Sequence, residues 1–153
     1  VKKHRYINVA LVAVLLSLSA CASGTVTTST GVVVPASVVQ SQDLAADVLK
    51  MLDDAYIKAV AIHDSQVATD NPSTHAARRK LLLQTHDGLV VSWTALITWK
   101  KSSTGTAVPA AVLTSLGPSL PAFVDLAVGF GLLTQAQADM VLSFAAPILG
   151  GFQ

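Results

Sequence analysis

The stretch SQDLAADVLKMLDDAYIKAVAIHDSQVAT, residues 41–69, decides the fold. Leu44, Val48, Leu52, Ala55, Ala59 and Ile62 recur every three or four residues and line one helical face, which Met51, Tyr56 and Val60 widen. Asp43, Asp47, Lys50, Asp54 and Lys58 fall on the other side. Asp54 precedes Lys58 by four residues, the favourable order for a helix ion pair. The stretch predicts an amphipathic helix, and an amphipathic helix needs a partner to cover its apolar face.

The partner follows in the chain. Asp70-Asn71-Pro72-Ser73 interrupts the period, with Asn71 suited to cap a new helix and Pro72 to its first position, where a missing N–H costs nothing. The second helix is predicted to reach about Lys101, with Leu82, Leu89, Trp93 and Leu96 on one stripe and Leu83, Val90 and Ile97 beside it. Gly88 in its middle costs about 1 kcal/mol relative to Ala, which points to a bend or a close crossing there. Lys100 and Lys101 suit the negative end of the helix dipole. So short a break between two long helices makes them an antiparallel hairpin.

Beyond a loop at 102–106, Pro109 is expected to start a short helix that Gly117-Pro118 ends. Ser119 can cap another from Leu120 to Phe130, with Gly129 and Gly131 at its C-terminus. Thr134-Gln135-Ala136-Gln137 matches a capping box and starts a last helix ending near Gly150-Gly151, with Pro147 bending its final turn.

Upstream of the hairpin, residues 21–40 are expected to form a flexible tether, since Ala22 to Thr30 are small or β-branched and bury little surface. Val32-Val33-Val34-Pro35 reads as a short β-prone run, either a lone edge strand or a patch docking on the helices, with docking favoured because no second strand is evident. Further upstream stand Lys2, Lys3, His4 and Arg5, then a mostly aliphatic run from Val9 to Leu18, then the small residues Ser19 and Ala20 before Cys21. That is the layout of a secretory signal, and it is shorter than the roughly 20 apolar residues that span a bilayer. Val1 stands where Met would, and is taken as an alternative start codon read literally.

Leu18-Ser19-Ala20-Cys21 resembles the lipobox of bacterial lipoproteins, and the resemblance covers residues 1–21. It implies cleavage before Cys21, with Leu18, Ser19 and Ala20 recognised by the signal peptidase. It also implies a diacylglyceryl thioether and an N-acyl chain on Cys21, and no other cofactor. Two or three acyl chains anchor durably where one does so marginally. The implied location is the bacterial cell envelope, lipid-anchored and facing the periplasm. In a diderm, Ala22 rather than Asp after the cysteine resembles the choice for the outer membrane.

Loss of residues 1–20 leaves seven basic against nine acidic side chains, a net −2, which disfavours nucleic acid as a partner. Charged residues make up 12% of the chain, about half the usual share, and only Asp125 and Asp139 are charged after Lys101. So bare a segment must be core, interface or laid against lipid. Cys21 is the only cysteine, so no internal disulfide forms.

Candidates for chemistry are few. His63-Asp64 and His86-Asp87 invite a metal or acid–base reading, but a hairpin turning near Asn71 sets residue 63 opposite about 79 and residue 86 opposite about 56. The two histidines therefore share no site. His75 lies one turn from Arg78 and Arg79, a poor setting for a cation, so no metal is expected. Arg78-Arg79-Lys80 opposes the dipole at a helix N-terminus. Pairing with Asp64 and Asp70 across the turn accounts for it structurally, and contact with lipid headgroups or a partner accounts for it functionally. Trp93 and Trp99 read as core, and Gly129-Phe130-Gly131 follows a helix and is too short for a nucleotide loop. No constellation of catalytic residues emerges, so no enzyme is expected.

The sequence thus predicts an all-α chain: a signal peptide at 1–20, a lipidated tether at 21–40, and a helical domain at 41–153. That domain is a long antiparallel hairpin plus two or three shorter apolar helices. The expected role is a non-catalytic envelope subunit that contacts a protein partner, or itself, through residues 108–152. A carrier of a hydrophobic ligand is one alternative. A membrane-active lipoprotein of the phage lysis or exclusion type is another.

Overall fold

Two helices of 30 residues, α1 (Ala36–Ser65) and α2 (Pro72–Lys101), form the hairpin that the periodicity predicts. The computed structural model of the chain describes residues 25–27, 33–102, 109–117 and 119–149. Leu18, Ser19, Ala20 and Cys21 lie outside the described residues. Helix accounts for 83% of what is described, so the all-helical reading holds in outline.

The tether expectation needs correction. Strand β1 (Thr25–Thr27) pairs antiparallel with β2 (Val33–Pro35), with Val26 opposite Val34. Thr25-Val26-Thr27 is β-branched throughout, which favours extended backbone even where the composition looks like a linker. Val34 is buried on the helices while Val26 and Val33 face out. Helix α1 then starts at Ala36, five residues before the predicted start, because Pro35 supplies the extended entry and nothing from Ala36 to Gln40 breaks a helix.

Helix α1 also stops earlier than its apolar period, at Ser65 rather than Thr69. The Ser65 hydroxyl donates to the Ile62 carbonyl, and the Thr69 and Asp70 amides both donate to the Gln66 carbonyl, closing a turn in place of further helix. Asn71 then caps α2 as expected, its Oδ1 accepting from the Ser73 amide at 2.9 Å.

The core seam of α1 is Ala45, Val48, Leu49, Leu52, Ala55 and Ala59, which leaves Leu44 at the rim. Leu82, Leu89, Leu96 and Trp99 of α2 face it, with Thr85, Gly88 and Ser92 as a line of small buried residues. A 3-10 helix (Pro109–Leu116) packs across that line. A Cβ on Gly88 would come within 2.7 Å of Leu116 Cδ2 and 3.0 Å of the Ser115 carbonyl oxygen, so of the two expectations, a bend or a close crossing, the close crossing is present. The Ser115 hydroxyl donates to the Gly88 carbonyl at 2.9 Å and lies 2.8 Å from the Ser92 hydroxyl.

Helices α3 (Ser119–Gly129) and α4 (Gln135–Leu149) complete the core with Leu120, Phe123, Val124, Ala127, Ala138, Val141 and Ala145. Gly131, at φ +69°, ends α3: its amide bonds Val128 and the Leu132 amide bonds Ala127, the pattern of a Schellman stop. Thr134 and Gln137 exchange both bonds of the capping box, at 2.9 and 3.2 Å. No helix among the described residues is long and apolar enough to cross a membrane.

Candidate functional site

The turn of the hairpin gathers most of the chain's unusual side chains. His63 comes from the last turn of α1, Gln66 and Asp70 from the connection, and His75 and Arg78 from the first two turns of α2. The His63 and His75 rings stack with centroids 3.9 Å apart and planes 15° from parallel. His63 is only 5% exposed. Burial pushes its imidazole below the ordinary histidine pKa, and the nearby His75 and Arg78 push it the same way. The Nδ1 atoms of both histidines are buried without a hydrogen-bond partner among the described residues.

Arg78 answers the objection that its charge opposes the helix dipole. Its Nη1 donates to Asp70 Oδ2 at 2.7 Å and to Gln66 Oε1 at 2.6 Å, and its guanidinium lies 5.1 Å from the centre of the Phe130 ring. Arg78 is thereby committed to holding the turn and docking the end of α3 on it. The partner is Asp70 and not Asp64. Arg79 and Lys80 are exposed on the outer side of α2.

His86 is remote from His63, as the register argument expects: its ring sits 5.8 Å from that of Tyr56 and its Nδ1 lies 3.2 Å from Asp87. The register argument nevertheless missed the meeting of His63 with His75. It set residue 63 opposite residue 79, and residue 75 lies one helical turn from 79 on the same face. The available signal was a histidine, an aspartate and a histidine, at 63, 70 and 75, bracketing a turn.

No protein-family model, curated protein or solved structure matches the chain.

A second feature lies along the outside of α2. Leu83, Val90 and Ile97, seven residues apart, are each at least half exposed, and Val91 is exposed beside them. The sequence placed this stripe next to Leu82, Leu89 and Leu96; the structure buries only the latter. The charge-poor C-terminal part behaves differently. Val112, Leu113, Leu116, Phe123, Val124 and Val141 are buried, and its described exposed positions are small or polar, among them Ala122, Asp125, Gln137 and Asp139.

Proposed function

We propose that the chain is a lipid-anchored, non-catalytic component of a bacterial cell envelope, a structural or accessory subunit that meets a protein partner through the outer face of α2. The anchor rests on the sequence Leu18-Ser19-Ala20-Cys21 behind its basic and aliphatic segments. The observation that carries the protein contact is the exposed stripe of Leu83, Val90 and Ile97. Surface apolar residues are usually scattered singly, whereas a seven-residue repeat on one long helix makes a seam that another helix can fill. Residues 108–152 were expected to supply this contact; among those described there, Leu126, Phe130, Leu142 and Phe144 are partly buried, whereas the α2 stripe is at least half exposed, so the contact is assigned to α2.

The geometry of the N-terminal sheet supports an orientation. Thr25 pairs with Pro35 at the start of α1. Cys21, four residues earlier, lies within roughly 14 Å of Thr25 at full extension. At about 1.5 Å of rise per residue, the turn of the hairpin stands roughly 40 Å from that end. The hairpin then projects from the periplasmic leaflet of its membrane into the periplasm, and Arg79 and Lys80 address a partner in preference to lipid headgroups.

The test is fatty-acid labelling combined with photo-crosslinking in cells. The expected result is label that Cys21→Ser removes, and a crosslinked protein from a photoreactive residue at position 90 but not from one at 137. Unlabelled protein would overturn the anchor, and equal or absent crosslinking at the two positions would overturn the contact.

A further inference from the structure

We propose that His63, Asp70 and His75 form a binding site for a divalent transition-metal ion of the zinc class, closing the turn of the hairpin. One donor atom from each residue lies within 4.8 Å of the other two. The residues come from the end of α1, the connection and the start of α2, so an ion held by all three ties the two helices together where they reverse.

The two unpartnered Nδ1 atoms are the strongest pointer. A buried polar atom without a hydrogen bond loses its hydration and gains nothing in exchange. Both histidines of the cluster have such a nitrogen, and an ion would supply the partner that each lacks. His75 Nδ1 lies 3.9 Å from Asp70 Oδ2, too far for a hydrogen bond, so the carboxylate leaves that nitrogen unpartnered. Bonds of about 2.1 Å in a tetrahedral site put donors roughly 3.4 Å apart, and an ion shared by both imidazoles lies near both ring planes, so closing the site takes one ring turning out of the stack.

The donor set selects the class of ion. Two imidazoles and one carboxylate suit zinc, cobalt or nickel, whereas calcium and magnesium require shells made of oxygen. Arg78 engages Asp70 Oδ2 and fixes the plane of the carboxylate, leaving Oδ1 to the ion, as outer-shell partners of metal-bound carboxylates do. Its charge also repels a cation, which makes the site a moderate binder. The side chains of His75 and Asp70 are 24% and 18% exposed, so solvent reaches the remaining coordination position.

The site is independent of the proposed anchor and partner, and its test avoids both. The full chain carrying Cys21→Ser, so that no thiol competes, is stripped with a chelator and titrated calorimetrically with zinc chloride and optically with cobalt chloride. The expected result is one ion per chain, tetrahedral cobalt absorption that zinc displaces, and a raised melting temperature with zinc. His75→Ala is expected to weaken binding at least about tenfold, and His86→Ala to leave it unchanged. Should His75→Ala melt below the working temperature, Asp70→Asn serves instead, because it retains an oxygen for Arg78. Absence of saturable zinc binding to the chain, or equal affinity in the parent, His75→Ala and Asp70→Asn proteins, would overturn the proposal.

Discussion

Gly88 sits in the middle of a helix because α2 and the 3-10 segment leave no room for a Cβ there, with Leu116 Cδ2 and the Ser115 carbonyl oxygen at 2.7 and 3.0 Å from that position. Alanine would gain about 1 kcal/mol of helix propensity in an open site. Here the overlap includes backbone atoms, and overpacking costs about 1–3 kcal/mol, so Gly88→Ala is expected to lower stability in chemical denaturation. His63 makes a second residue-scale prediction. Its folded pKa lies below the ordinary 6.5, because burial, His75 and Arg78 together outweigh the attraction of Asp64 and Asp70. The unfolded chain therefore binds the proton more readily, and the stabilising term is complete above about pH 6.5 and lost as pH falls through the folded value. With chelator present, the melting temperature should decline on acidification below about pH 6.5, and His63→Leu should flatten that decline without abolishing the later one due to carboxylates.

Single caps set the ends of the elements, and their signals are local enough to be read from the chain. Asn71, Gly131 and the Thr134–Gln137 pair each act over no more than five residues, and each does what its residue type predicts. Thr134→Ala removes the bond to the Gln137 amide and is expected to cost about 1 kcal/mol, with Gln137→Ala adding less than its own single effect because the two bonds form one motif. A double-mutant cycle by urea denaturation measures this. The faces of α1 and α2 were legible only to within a rotation. Neighbouring positions on a helix point about 100° apart, so the stripes at Leu82, Leu89, Leu96 and at Leu83, Val90, Ile97 look equally apolar in sequence. The 3-10 segment and α3 cover one side of α2, and that choice leaves the second stripe outside.

The molecule as a whole is polar along its long axis, with the sheet at one end and the histidine turn at the other. If Cys21 carries lipid, a fluorophore on Thr74→Cys should escape quenchers in the bilayer, while one on Lys101→Cys, at the opposite end of α2, should be quenched. Equal quenching would mean that the hairpin lies flat. The all-helical architecture and the hairpin follow from hydrophobic period and turn residues, which act within one element and the next. The two-stranded sheet did not, because Thr25-Val26-Thr27 has no periodic signature at three residues and becomes a strand only when Val33–Pro35 lies beside it.

By itself the sequence determined the helix count of the hairpin, the caps and the signal-like segment before Cys21, because each depends on residues near one another in the chain. Only the tertiary structure decided which apolar stripe stays exposed and that His63, Asp70 and His75 meet. Both depend on the rotation and register of packed helices, which are fixed by the sum of many contacts between distant residues, and a shift of one turn would separate the two histidines.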